Sequence, residues 1–301
     1  MTLDLWVGLA VLAGLFVAEG VQPYYQARDR RYVHGARNLA LAIASGVVGA
    51  ALAPLLLWAL RLGSEQGWGL CARLDPGGLG GALISLLLFD LWMYTWHRAN
   101  HRIPFLWRFH RVHHTDPAMD CTTALRFHPG EILLSGLANL PVIVALGMSL
   151  ETFVFYKAVM VAVILLHHSN LAVPVHIERG LRRLIVPPSM HRVHHSAIRI
   201  ETDSNYGTIF SFWDRLFGSL RLREDTQAIR FGIGRFAGDA WQRPLRLLAI
   251  PFLAELPPGP PPGTRAAPAL CIDAQRLQAC RDLDELMGLV RTIGRAQSAR
   301  A

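Results

Sequence analysis

The chain has 301 residues, 52% hydrophobic and only 17% charged, with a net charge of +8. About a quarter of the residues of an ordinary soluble domain are charged, so this composition excludes that class and points to a membrane bundle. Nucleic acid is excluded as a partner too: the positive charge is almost all arginine, Lys157 is the only lysine, and the arginines flank apolar stretches instead of forming one basic run, as membrane-edge anchors do.

Five apolar stretches follow in chain order. Residues 5–18 are short for a span, bounded by Asp4 and Glu19, and no basic segment precedes them, so a cleaved signal peptide is not expected. Residues 39–60 are long enough to cross a bilayer core. Residues 79–96 contain Asp90, residues 132–150 form the fourth stretch, and residues 153–166 contain Lys157. The first connection carries Arg28, Arg30, Arg31 and Arg37; the second only Arg61 and Arg73, beside Glu65 and Asp75. Arg98, Arg102, Arg108, Arg111 and Arg126 follow the third stretch, almost nothing but Glu151 separates the fourth and fifth, and the region beyond is again arginine-rich. The fourth and fifth therefore form a hairpin, and the positive-inside rule turns the first and third connections and the C-terminal region to the cytoplasm. Residues 179–186 read as a basic amphipathic stretch on the membrane surface. Residues 257–262 are a proline-rich break, and 273–295 read as a polar amphipathic helix. Cys71, Cys121, Cys271 and Cys280 include no Cys-x2-Cys pair and read as reduced, ordinary thiols. The expected organisation is an all-α integral membrane helical bundle of four to five spans with a cytoplasmic helical cap. It divides into N-terminal spans (1–78), a middle segment of spans and connections (79–222) and a C-terminal extension (223–301).

The 13 histidines are not scattered. His97 and His101 form His-x3-His; His110, His113 and His114 form His-Arg-Val-His-His; and His191, His194 and His195 repeat that string. Residues three and four apart share a helix face, so eight imidazoles can converge at the ends of the spans. Imidazole suits iron, zinc and copper, and one metal takes at most about six ligands, so eight fit two metals. His128 and His168 are candidate further ligands or supporting donors; His167 is less suited, because only one of two neighbours faces a cluster easily. His34 and His176 read as ordinary. Asp90 lies seven positions before His97 on the same face and is expected to orient a ligand imidazole. Asn170, with Asn100, Asp116 and Asp214, is a weaker candidate for that role, and Trp213 and Phe217 read as packing anchors. No Glu-x-x-His occurs, against the soluble di-iron bundle.

On these residues the chain resembles the sterol desaturase and fatty acid hydroxylase superfamily of integral membrane di-iron proteins. The resemblance runs over about residues 80–220: Tyr94, the three histidine strings, Leu106-Trp107-Arg108-Phe109, His168-Ser169-Asn170, Asn205-Tyr206-Gly207 and Trp213-Asp214-Arg215-Leu216-Phe217-Gly218. It implies two iron ions held by the eight string histidines, O₂ as oxidant and a lipid substrate. Hydroxylation is favoured over desaturation, and an ether-lipid monooxygenase is one form of it. No dinucleotide, haem or iron–sulfur motif is present, so electrons are expected from a separate ferredoxin or cytochrome b5 type reductase system docking on the arginine-rich face. The arginine-for-lysine bias is what a GC-rich bacterial genome gives, and a bacterial inner membrane is the expected location. The competing class is a non-catalytic metal-binding membrane protein, either a transporter, whose ligands belong at the bilayer midplane, or a structural zinc site.

Overall fold

Apolar composition and length alone make five helices competent to span a bilayer: α1 (Leu3–Val21), α2 (Arg31–Ser64), α4 (Leu79–Arg102), α6 (Pro129–Leu146) and α7 (Leu150–His168). A computed structural model describes residues 3–26, 30–74 and 78–254 of the chain. The proline-rich break, Cys271, Cys280, the helix expected over 273–295, Arg28 and Asp75 lie outside the described residues. All described elements are helical apart from isolated bridges, and the short α3 (Leu70–Leu74) joins α2 to α4.

The spans alternate in direction. α2 packs along α6, α1 runs beside α7, and α4 lies against α6 and α7. The C-terminal ends of α1, α4 and α7 and the N-terminal ends of α2 and α6 therefore gather on one side. This is the side to which the charge alternation assigned the arginine-rich connections. The hairpin between α6 and α7 is present: α6 ends at Gly147, left-handed at φ +67, and Ser149 caps α7 by accepting from the Thr152 amide. Gly69 lies against that turn so closely that a Cβ would fall 2.0 Å from the Gly147 backbone.

Over the gathered ends sits the cap: α5 (Pro104–His114), α8 (Val175–Leu181), α9 (Pro188–His194), α10 (Arg199–Thr202) and α11 (Phe212–Leu216). Of the basic amphipathic stretch expected over 179–186, only the first residues are helical, as the end of α8 (Val175–Leu181). The reason is hydrogen bonding: the Val186 amide donates to the Ile209 carbonyl, and the Ser211 amide donates to Leu184, so 184–186 pair with a loop instead of continuing the helix. Part of the C-terminal extension also joins the body. Phe236, Leu247 and Ile250 are buried with Leu41 of α2 and Val112 of α5.

Buried arginines lock the cap. Arg126 is fully buried and donates to Val112 O (3.1 Å), Asn38 Oδ1 (3.0 Å), Thr115 Oγ1 (2.9 Å) and Gln242 Oε1 (2.6 Å). One guanidinium thus joins α2, α5 and the 242 segment, and its rigid fork serves this better than an ammonium. Replacing Arg126 by methionine should keep the volume but strand those acceptors, lowering stability by about 3–5 kcal/mol, as for a broken buried ionic contact. Thermal unfolding in detergent measures this; a loss under about 0.5 kcal/mol, the size of an ordinary surface substitution, would refute the role.

Candidate metal centre

α4 carries His97 and His101 on one face of its last turns and stops at Arg102, because Pro104 keeps the residue before it out of helix geometry. Pro104 then opens α5, the chain folds back, and the second histidine string follows. Pro188 opens α9 in the same way and delivers the third string, while α7 ends on His168.

The rings meet in two groups. His97, His101, His110, His114 and His194 bring one nitrogen each to within 4.8 Å of one another, and His113, His168, His191 and His195 do the same. Each five-residue string divides alike: its first and last histidines enter one group and its middle histidine crosses to the other, while His97 and His101 stay together. The groups lie side by side, with the His114 and His195 rings stacked at 4.5 Å. The Asn38, Arg126 and cap contacts described above leave every one of these residues buried except the half-buried His97.

The outward nitrogens are held in place. His97 Nδ1 donates to the Tyr206 carbonyl (2.9 Å), His194 Nδ1 to Ser204 (2.6 Å) and His168 Nδ1 to Ile164 (2.8 Å). His110 Nδ1 lies 2.7 Å from Glu131 Oε1, and His101 Nδ1 lies 3.4 Å from Asp203. A carbonyl can only accept, so His168 Nε2 is bare, yet it sits 3.0, 2.9 and 3.2 Å from the Nε2 atoms of His113, His191 and His195. One lone pair cannot accept three hydrogen bonds. A shared cation satisfies all four atoms: metal–nitrogen bonds of about 2.1 Å put neighbouring ligand nitrogens roughly 3.0–3.4 Å apart. Burial, reinforced by the neighbouring imidazoles, holds His113, His114, His191 and His195 far below the ordinary histidine range, and burial takes His194 down to about 3. They are neutral, the form that ligates.

Other expected residues lie elsewhere. His128 joins neither group: it caps α6, accepting from the Gly130 amide through Nδ1, with Nε2 3.2 Å from the Leu248 carbonyl. His167 stacks on His191 at 3.8 Å but is in neither group. Asp90 orients no imidazole. Its carboxylate is taken up by Tyr156 Oη (2.9 Å), Trp213 Nε1 (2.9 Å) and the Ile209 and Phe210 amides, so it pins α4 to α7 and to the loop before α11. Asn170 instead pairs with the backbone of Tyr25. Asp214 accepts from the Tyr206 and Gly207 amides and so supports the carbonyl that holds His97. Asp116 pairs with His34 (2.8 Å). Burial alone would raise its pKa, but the charges of His34 and Arg126 hold it well below the carboxylate range. Asn100 lines the cavity. Sequence reasoning missed Glu131 and Asp203 as supports; their only signal was acidity near a string in three dimensions, and no spacing displays that.

A cavity of about 510 Å³ leads away from the rings. His97, His110, His113, His168 and His191 line one end, and residues such as Leu52, Leu56, Met93, Leu140, Phe153 and Ile164 line its walls between the spans.

Residues 82–219 match the fatty acid hydroxylase family, and the resemblance read from the strings is borne out. The chain is 31% identical over 172 residues to an ornithine lipid hydroxylase of Rhizobium tropici, covering 56% of this chain and 50% of the relative. It is 32% identical over 173 residues to an alkylglycerol monooxygenase of Danio rerio, covering 56% and 36%. It is 28% identical over 142 residues to human cholesterol 25-hydroxylase, covering 46% and 50%. The chain thus spans about half or less of these relatives. No solved structure matches.

The crossed division of the strings makes a prediction. His113→Ala should empty the group that holds His191, although His113 belongs to the other string, and His194→Ala should empty the group that holds His110. Each variant should fall from about two bound metals per chain to about one, by elemental analysis. Glu131→Gln should weaken metal affinity about 10–100-fold, as lost support of a ligand histidine does; unchanged affinity would remove Glu131 from the site.

Proposed function

Taking membership of the sterol desaturase and fatty acid hydroxylase superfamily as the premise, we propose that this chain is a membrane lipid hydroxylase with two iron ions, one in each imidazole group. The observation that carries the reading is the opening of both groups into one apolar cavity between the spans. An all-nitrogen set of neutral imidazoles suits divalent iron. With at most about six ligands per iron, groups of five and four imidazoles leave positions free on both, more on the second. Bound there, the irons would bind O₂ and relay to it the external electrons that activate it toward an unactivated C–H bond.

The chain's own residues do the rest. His97, His101, His110, His114 and His194 would hold one ion, and His113, His168, His191 and His195 the other. Glu131 and the Tyr206, Ser204 and Ile164 carbonyls keep the δ protons on their rings, so the ε nitrogens face inward. The walls from Leu52 to Ile164 exclude water and keep the substrate tail in an environment like the lipid it came from. The curated relatives act on an ornithine lipid, alkylglycerols and cholesterol, which supports a lipid substrate. All three are named as hydroxylases or monooxygenases, which supports hydroxylation over desaturation.

Arg179, Arg182, Arg183 and Arg215 line a shallow surface cavity and would dock a separate acidic electron carrier, of ferredoxin or cytochrome b5 type, by charge complementarity. The charge alternation supports a cytoplasmic placement of this end, in a bacterial inner membrane. The catalytic segment would be 79–222, with Asp90 and Asn170 acting as braces of the fold around it.

Elemental analysis and Mössbauer spectroscopy of the detergent-purified protein test this. About two coupled irons per chain are expected, together with ¹⁸O from ¹⁸O₂ in the lipid product. Stoichiometric zinc in a preparation from aerobically grown cells would establish the structural-zinc alternative instead.

A further inference from the structure

The cavity is apolar along its walls but has a second polar end. Asp4 and Lys157 line it together with the histidines. Lys157 lies on α7 eleven residues before His168, about 16 Å away along the helix at 1.5 Å per residue. α1 runs parallel to α7 with Gly8 against Val161, where an added Cβ would come 3.1 Å from Val161 Cγ1. Four residues earlier on both helices, that register sets Asp4 beside Lys157, and the two sense each other's charge. They do not close on each other. Asp4 Oδ1 is buried without a hydrogen-bond partner, and among the described residues no ion pair joins the two. Ionisable groups within the thickness of a membrane are costly and mark ligands or pathways. Nothing in the metal groups uses this pair, since the imidazoles are supported by Glu131, Asp203 and backbone carbonyls.

The charges select the ligand. An ammonium and a carboxylate facing one cavity are neutral together. A full anion or cation placed between them would leave a net buried charge, which is expensive at low dielectric. A neutral group that accepts from the ammonium and donates to the carboxylate completes both, and a hydroxyl does so with a single oxygen. We infer that Asp4 and Lys157 form a binding site for the far end of the substrate, a neutral hydroxyl or amide carried roughly a dozen bonds from the carbon presented to the imidazoles. The length follows from the 16 Å separation and an advance of about 1.2 Å per bond in an extended chain. Naming that far end rests on the hydroxylase reading; the binding preference itself does not.

The test compares 1-dodecanol, dodecane and laurate as ligands of the full chain in detergent, at equal mole fraction in the micelle, by native mass spectrometry. The wild type should bind dodecanol at least about tenfold more tightly than dodecane, the size of one charge-assisted hydrogen bond, and laurate no better than dodecanol. Lys157→Met and Asp4→Asn should each bring the dodecanol preference to within about twofold while leaving dodecane binding unchanged, and Lys157→Arg should restore it. If Lys157→Met does not fold, the Asp4→Asn comparison decides. Equal binding of dodecanol and dodecane by the wild type overturns the site, as does a preference that survives both substitutions. Tighter binding of laurate overturns the neutral-ligand assignment. The measurement involves no turnover, so a chain that binds zinc and hydroxylates nothing still shows the preference. A chain with two irons and no preference loses only this site.

Discussion

Bare nitrogen lone pairs set against one another at about 3 Å are the constraint on which the rest of this structure depends. Four such atoms meet around His168, and five more nitrogens crowd beside them. Protonating the rings would put several positive charges in one buried pocket, and leaving them empty would strand acceptors without donors. Bound cations would resolve this, provided the rings cannot turn away. The cap serves that need. In each five-residue string the arginine after the first histidine donates to backbone carbonyls outside the imidazole groups: Arg111 to Ile250 and Leu253, Arg192 to Ser169 and Leu171. The valines that follow, Val112 and Val193, are completely buried. The repeat His-Arg-Val-His-His is therefore a small packing unit as well as a set of ligands.

Helical geometry explains why the unit comes twice. At 3.6 residues per turn, positions i and i+4 point about 40° apart, whereas i+3 points about 100° from i+4. The first and last histidines of a string therefore reach one centre, and the middle one reaches a neighbour on the other flank of the helix. A single string can only half-serve a second centre. Two strings facing each other complete both by exchange, and α4 and α7 add His97, His101 and His168. The motif thus feeds two imidazole groups through the angle between its own residues.

That angular logic shows why the clustering of the imidazoles was legible in the sequence and their hydrogen-bond partners were not. The eight string histidines and His168 are fixed by local spacing at helix ends, which one chain displays directly. The spans were legible for the same reason, since length and apolarity are local. Asp90 sits on the expected face of α4, but its partners Tyr156 and Trp213 come from 66 and 123 residues away, and no periodicity reports them. His128 looked like a ligand because it adjoins a span, yet Pro129 and Gly130 make it a helix cap. Glu131 supports His110 from across a helix pair, 21 residues away. The packing of Phe236, Leu247 and Ile250 against α2 and α5 was equally invisible, because single apolar residues in a polar extension resemble any exposed ones.

The depth of the site follows from the lengths of the helices. α7, at 19 residues, is about 28 Å long, close to the hydrocarbon thickness, so the histidines at its end stand at the membrane boundary. α2, at 34 residues, is about 51 Å long and must project beyond it. The first turns of α2 carry His34 and Asn38, which grip Asp116 and Arg126 on the cap. α2 is thus tied to both the membrane and the cap, setting how far the imidazoles stand from the lipid. The cavity runs back from them between α2, α4, α6 and α7, so a lipid chain can reach the rings without crossing water. An apolar tail drawn into an aqueous site would lose about 0.8 kcal/mol per methylene. Placing the polar imidazoles at the boundary and the cavity inside the bundle avoids that loss, and it accounts for a histidine site built from helix ends when the interior of the bundle was available.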